Sequence, residues 1–398
     1  MNFIWISPQF PKTYWNFCDR LKSKGVHVLG IGDSAYDELS EELKQSLNEY
    51  YRVDNMEDYH QMYKAVAYFA YQYGKIDWLE SNNEYWLEQD AHLRSDFNIT
   101  SGFKLEQIHD IKSKTAMKEF YRCAGVPCAR YQNVTTYERA IEFCHKVGYP
   151  IILKPDVGVG AQATYKVHNN AELKKLFTDE ALTAYIMEEF IEGVITSYDG
   201  IANSQREVLY DTSHIFPSSI MDIVNEHGHL AYYTQKEVPE DVRDVGRRVV
   251  KAFRTNSRFF HFEFFRLTKA KEGLGKIGDL VALEVNMRPP GGYTPDMMNY
   301  AGSIDIYHIY ADMVCFDQWI DPSDKRDWYC VYASQRDGKV YQHNKDEIIF
   351  KYKKVIKMQE RMPDILSGAM GNDMYIACFE SLKAVHSFIK YVQAMKDE

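Results

Sequence analysis

Two apolar runs, FFHFEFFRL at 259–267 and LVALEVNMRPPGG at 280–292, are joined by the polar, glycine-rich connection KAKEGLGKIGD, and together they read as a β-hairpin. In LEVNMR the side chains of Glu284, Asn286 and Arg288 stand at i, i+2 and i+4, so a strand brings two oxygen ligands and a cation to one face. Glu263, in the preceding strand, sits among Phe260, Phe262, Phe264 and Phe265, where a lone carboxylate is costly to bury. A shared magnesium ion resolves that cost, because carboxylate and amide oxygens together with phosphate oxygens are its preferred ligands. The alternative is a salt-bridged strand in which Arg288 neutralises Glu284 or Glu263, and it leaves Asn286 and RPPGG without a reason.

A chain of 398 residues suits two or three modules rather than one domain, and 45% hydrophobic with 26% charged residues is the composition of a globular protein. The formal charge of -10 argues against nucleic acid as a partner, since phosphate binding needs a basic surface. Pro8 and Pro11 interrupt the first apolar run before it can serve as an export signal, and no uncharged stretch is long enough to span a bilayer. The 7 cysteines are scattered without a CxxC pair, which points to reduced thiols in a cytoplasm. The histidines show no HxxxH or HExxH spacing for a structural zinc site.

The expected fold class is mixed α/β and α+β. NFIWIS, YWNFCDRLKSKG and VHVLGIGD open a parallel strand-helix-strand unit, continued by a strand near Tyr50 to Val53 and a helix from Met56 to Tyr73, so residues 1–105 form a small doubly wound domain. Gly30 and Gly32 in GIGDS lack the third glycine of a dinucleotide fingerprint. Ile111 to Ala124 reads as one helix closed by Gly125, and Thr135 with Glu138 as a capping box for the next. The strands VPCARYQNV, PIILKP and ATYKVH and the helix AELKKLF complete an α+β lid at 126–195, which with its leading helix makes a module of 106–195. Residues 196–320 hold the hairpin and a helix near Ser303 to Cys315, and 321–398 form a C-terminal α+β extension ending in a helix.

After PIILKP comes DVGVGAQAT, in which Lys154 ends a strand while Gly158 and Gly160 let the backbone approach a phosphate closely. Taken in order, KSKTAMKEFYRCAGVPCARY, GYPIILKP with DVGVGA, IMEEFIEG, FHFEFFR and LEVNMRPPGG resemble the landmarks of the ATP-grasp superfamily over about residues 1–315. They are nearest the carboxylate-amine ligases and the biotin carboxylase and carbamoyl-phosphate synthase branch. The resemblance implies an ATP-grasp fold with an N-terminal doubly wound domain and contacts from Lys114 and Lys154 to ATP phosphates. It implies a loop from Gly158 through Gly160 to Ala161 closing over them, and Glu188 on the adenine amino group with the backbone at Glu189 and Ile191 on the adenine edge. Glu263, Glu284 and Asn286 would carry Mg2+, or Mn2+ in its place, with Arg288 beside an acyl phosphate.

The chain departs from the superfamily where relatives place a ribose-binding acid. Here VITSYDG puts Ile195 at that point, so the ribose contact is expected from Glu192 or from elsewhere in the chain. Lys236, in TQKEVP, is a further cation for substrate or phosphate, or else a surface lysine. The implied activity is an ADP-forming carboxylate-amine ligase with small-molecule carboxylate and amine substrates. A small-molecule kinase and a noncatalytic nucleotide-binding regulatory protein are the alternatives, and a homodimer stays open.

Overall fold

The computed structural model describes the chain except residues 159–162, 180–181, 218–227, 324 and 397–398. Its amino-terminal module runs β1 (Asn2–Ile6), α1 (Trp15–Ser23), β2 (His27–Gly32), α2 (Glu41–Ser46), β3 (Glu49–Arg52), α3 (Tyr59–Tyr73), β4 (Trp78–Glu80) and α4 (Leu87–Asp96). The strands pair in parallel in the order β3-β2-β1-β4. Helix α3 begins three residues later than the periodicity suggests because Asp58 caps it, accepting from the His60 amide at 2.9 Å. Gly30 and Gly32 serve packing: a Cβ on Gly30 would lie 2.8 Å from Leu47 Cδ1, and one on Gly32 2.6 Å from the Tyr50 hydroxyl.

The helix expected over Ile111 to Ala124 is two, α5 (Leu105–Lys112) and α6 (Lys114–Cys123), broken at Ser113. Ser113 leaves the helical conformation to cap α6, accepting from the Ala116 amide at 3.1 Å, which outweighs the continuous apolar spacing. The lid follows as β5 (Tyr131–Asn133), α7 (Tyr137–Val147), β6 (Ile151–Pro155), β7 (Tyr165–Val167), α8 (Asn170–Asp179) and β8 (Tyr185–Glu189), with sheet order β5-β8-β6-β7. The cap of α7 is Thr136, not Thr135.

A nine-stranded sheet carries the rest: β9 (Gly193–Ala202), β10 (Val208–Thr212), β11 (His214–Phe216), β12 (Ala231–Thr234), β13 (Arg258–Leu267), β14 (Leu280–Asn286), β15 (Tyr329–Gln335), β16 (Ile356–Arg361) and β17 (Asp373–Phe379). Between and beyond these lie α9 (Glu240–Ala252), α10 (Thr294–Gly302), α11 (Ile306–Phe316), α12 (Lys345–Tyr352), α13 (Asp364–Met370) and α14 (Leu382–Val392). The order β14-β13-β9-β11-β12-β15-β17-β16 crosses the expected boundary at residue 321, because β12 pairs with β15. The C-terminal segment therefore extends the large sheet. Among the described residues no helix is long and apolar enough to cross a membrane.

One face of this sheet buries Phe260, Phe262 and Phe264 against Val242, Val249 and Val250 of α9 and Met117 and Tyr121 of α6. Each phenylalanine removed from water contributes roughly 1.5–3 kcal/mol. The amino-terminal module is locked on through a shared core in which Trp5 and Phe17 meet Phe259, Tyr307 and Tyr310. A buried ionic knot reinforces the junction: Glu80 Oε2 accepts from Arg94 Nη2 at 2.9 Å and from Arg258 Nη2 at 2.6 Å, with all three residues at most 2% exposed.

Candidate active site

Strand alternation decides which side of the large sheet is chemical. While Phe260, Phe262 and Phe264 of β13 face α9, His261 and Glu263 face the other way, and the register aligns them with neighbours on both sides. Glu284, Glu263 and Ser197 form one cross-strand row, and Asn286, His261 and Asp199 form the next. A register shift between Glu263 and Phe264 interrupts the hairpin just there, a device that re-aims side chains beside sites. Phe259 and Phe265 share the parity of Glu263.

Above this floor, Lys114 Nζ stands 3.6 Å from Glu284 Oε1 and donates to the Gly158 carbonyl at 3.3 Å. Arg288 donates from Nη2 to Asn286 Oδ1 at 3.2 Å, and its Nε lies 3.5 Å from Glu84 Oε2. The structure thus brings Glu263, Glu284, Asn286, Arg288 and Lys114 together. Among the described residues no three His, Cys, Asp or Glu side chains are grouped so as to hold a metal ion by themselves. Two carboxylates and an amide oxygen nevertheless fit magnesium, which keeps water and takes phosphate oxygens for its remaining positions.

The buried face of α6 carries Lys114, Met117, Lys118 and Tyr121, at i, i+3, i+4 and i+7. Two lysines on a buried stripe need anions. Lys118 pairs with Glu188 Oε1, and Lys154 Nζ lies 2.7 Å from Glu188 Oε2, with the side chains of Lys118, Lys154 and Glu188 3%, 9% and 7% exposed. Burial alone would raise the Glu188 pKa, but the two ammonium groups outweigh it and hold it at about 2. An adenine amino group expected at Glu188 would share that carboxylate with the two lysines. Lys118 was not singled out from sequence, although its spacing of four from Lys114 was the available signal.

Helix α6 is tied to the lid through Asp156, which accepts from Ser113 Oγ at 2.6 Å and from the Thr115 amide at 2.7 Å. Behind the metal-ligand row lies a second cluster that sequence reasoning missed. Asp199 takes His261 Nδ1 at 2.5 Å and His214 Nδ1 at 2.6 Å, and Ser197 also donates to it. Burial opposes its charge, yet the two imidazoles keep its pKa at about 2. His261 is pushed the other way, its burial outweighed by Asp199, up to about 9. His261 Nε2 then lies 3.6 Å from Glu263 Oε1. The alternation of Ser197 and Asp199 in TSYDG was a visible sign, but their pairing across three strands was not.

The remaining expected positions are more dispersed. Gly158 is described and exposed, whereas Gly160 and Ala161 lie outside the described residues. Glu189 points away from Glu188, its side chain accepting from Arg130 Nη2 at 2.6 Å and lying 3.2 Å from Lys271 Nζ, while its backbone amide donates to the Arg130 carbonyl at 3.0 Å. Ile191 and Ile195 are core residues. Glu192 is half exposed and lies 3.1 Å from Lys269 Nζ. Lys236 lies over the Tyr329 ring, 5.5 Å from its centroid.

Residues 112–214 match the family model described as carbamoyl-phosphate synthase L chain, ATP binding domain. The L-arginine-specific L-amino acid ligase of Bacillus subtilis is 24% identical over 265 residues, 65% of this chain and 62% of that protein. Phosphoribosylamine–glycine ligase of Fusobacterium nucleatum is 25% identical over 192 residues, 44% of each. The matches thus span less than two thirds of these relatives' lengths. Among solved structures, L-amino acid ligase from Bacillus licheniformis superposes with a TM-score of 0.73 at 14% identity, covering 98% of this chain and 96% of that one. The biotin carboxylase domain dimer of Hydrogenobacter thermophilus 2-oxoglutarate carboxylase, solved with MgADP and bicarbonate, superposes at 0.66 with 15% identity, covering 92% of this chain and 83% of that one. With its lid sheet, its large sheet and the matched segment that holds both Lys114 and Lys154, the chain has an ATP-grasp fold.

Proposed function

We propose that this protein is an ATP- and Mg2+-dependent ligase that activates a small-molecule carboxylate by phosphorylation and joins it to an amine, releasing ADP and phosphate. The observation that carries the reading is the floor of Glu263, Glu284, Asn286 and Arg288 beneath Lys114. Magnesium, or manganese in its place, would be held by Glu263, Glu284 and Asn286 and would offset charge on the phosphate oxygens. Lys114 and Lys154 would bind and orient the phosphates, and Arg288 would neutralise charge on the acyl phosphate. No protein nucleophile is needed, since the carboxylate oxygen attacks the γ-phosphate and the amine then displaces phosphate from the acyl carbon. Seven free cysteines fit a reducing compartment such as the cytoplasm.

With substrate supplied, ADP and phosphate should appear in equal amounts with the new C–N bond, and hydroxylamine should trap the intermediate as a hydroxamate. AMP and pyrophosphate would refute the reading. Glu284→Gln should lose at least about a hundredfold in magnesium-dependent turnover, the scale of deleting one electrostatic stabiliser, while circular dichroism stays unchanged. Wild-type turnover in that variant at limiting magnesium would remove the metal site.

A further inference from the structure

Between β4 and α4 the chain leaves the carboxyl edge of a parallel sheet, the edge at which such sheets take ligands. The connection, residues 81–86, is tightly held. Asn82 turns it with φ 51°, its amide donating to Glu80 Oε1 at 3.2 Å and its carbonyl accepting from the Tyr14 hydroxyl at 3.2 Å. Ser81 donates to Asp90 Oδ2 at 2.6 Å and accepts from the Asn83 amide at 3.1 Å, while Asn83 Oδ1 accepts from the Tyr85 amide at 3.0 Å. The backbone on both sides of Glu84 is thereby fixed, and Glu84 is the carboxylate this loop presents.

Glu84 reaches from the amino-terminal module to the floor of the large sheet. Its side chain is 13% exposed, and its Oε2 lies 3.5 Å from Arg288 Nε, buried and without a hydrogen bond. Arg288 uses its other nitrogens elsewhere, donating from Nη1 to the Pro289 carbonyl at 2.8 Å and from Nη2 to Asn286 Oδ1 at 3.2 Å. Its guanidinium therefore spans from the metal-ligand row to Glu84. An ion pair that served packing alone would close to hydrogen-bond distance, as Arg130 and Glu189 do at 2.6 Å. The looser contact leaves Glu84 Oε2 open to another donor. Burial raises the Glu84 pKa, Glu284 adds to the rise, and Arg288, Lys112 and Lys114 oppose it. A desolvated carboxylate is a stronger base than one in water.

We propose that Glu84 is a catalytic residue of the second half-reaction, the base that takes a proton from the amine as it attacks the acyl phosphate. The inference rests on the ligase reading, which places the acyl phosphate at Arg288. An amine arrives as an ammonium ion at neutral pH, and its nitrogen then has no lone pair to attack with. With the phosphoryl group on the Asn286 side of Arg288, the acyl carbon lies toward Nε, and the incoming ammonium donates to Glu84 Oε2. One proton passes to Glu84, and the freed lone pair forms the C–N bond. The bond from the acyl carbon to the phosphate oxygen breaks, with phosphate keeping the electron pair. A second N–H proton leaves with it as hydrogen phosphate, and Glu84 returns its own proton to water. Lys114, Lys154 and Arg288, the cations of the site, are suited to holding phosphate and not to this proton transfer.

The test uses the full-length protein with MgATP and a carboxylate pool of the common L-amino acids with acetate, succinate and citrate. One acceptor arm offers ammonium chloride, methylamine and the pool's own amino groups. The other adds hydroxylamine, which is neutral near pH 7 and needs no base. Amide and hydroxamate are quantified by mass spectrometry. At pH 7, Glu84→Gln should lose at least about a hundredfold in amide formation, the scale of a general base, yet keep hydroxamate formation within about threefold, which also shows that it folds. Its amide formation should climb about tenfold per pH unit from 7 to 9 as more of the amine is free, while wild type changes by no more than about threefold. Glu84→Asp, whose carboxylate is withdrawn by one methylene, should lose about tenfold in amide alone, and guards against a glutamine variant that fails to fold. Parallel loss of both products, or an unchanged amide rate in the variants, overturns the base and leaves the ligase reading intact. Hydroxamate without amide from wild type does the same. No product from wild type in either arm sinks the ligase reading and the base with it.

Discussion

Replacing Lys118 by Met should weaken ATP binding roughly thirtyfold, although the sequence motifs assign phosphate contact to Lys114 and Lys154 alone. In the structure Lys118 and Lys154 share one carboxylate, Glu188, so the three side chains carry a net charge of +1. Removing Lys118 leaves Glu188 and Lys154 as a neutral pair, and Lys154 can reach a phosphate only by abandoning a buried carboxylate. With an effective dielectric near 20, one unit charge acting on another at about 5 Å is worth roughly 3 kcal/mol. Allowing about a third for solvent competition leaves about 2 kcal/mol, or about thirtyfold in Kd. The assay is calorimetric titration of a nonhydrolysable ATP analogue with magnesium into wild type, Lys118→Met, and Lys118→Met with Glu188→Gln. The double variant restores the net charge of +1 and should recover to within about fivefold of wild type. Binding by the single variant within threefold of wild type refutes the charge argument. A double variant that binds worse than the single would return Glu188 to the adenine.

Two further predictions concern stability. Because the folded Glu188 pKa is about 2 against an ordinary 4.5, its contribution is fully present above pH 4.5 and is lost as pH falls toward 2. That contribution is about 3 kcal/mol, so the gap in urea midpoint between wild type and Glu188→Gln should narrow from pH 6 to pH 3, and a constant gap would contradict it. Glu80→Gln should destabilise by about 3–5 kcal/mol, the scale for stripping one partner from buried charges, since Arg94 and Arg258 both donate to Glu80. Limited proteolysis should then cut between the amino-terminal module and the sheet, and an unchanged cleavage pattern would show that the shared aromatic core alone holds the junction.

Much of the site could be read in one dimension because its residues lie at short, periodic spacings on single elements. Glu284, Asn286 and Arg288 repeat at two, and a strand of period two puts them on one face whatever packs around it. Lys154 at the end of PIILKP and the hairpin partner carrying Glu263 were equally legible, because alternation and turn chemistry are local. The same holds for the parallel opening of the chain, whose β1, α1 and β2 follow the apolar pattern almost residue for residue.

What tertiary structure alone decided are the groupings that need register between distant strands or docking between modules. Asp199, His214 and His261 come from three strands, and only the pairing of β9 with β11 and β13 makes them one cluster. Glu188 meets Lys118 only because the lid sheet closes on α6. At Ser113 the local cap that splits the expected helix is joined by a tertiary contact, its hydroxyl donating to Asp156, a partner 43 residues away. Local propensity acts over a few residues, whereas the burial of a lysine or carboxylate is decided by whatever opposite charge the fold brings beside it, and that partner is written elsewhere in the chain.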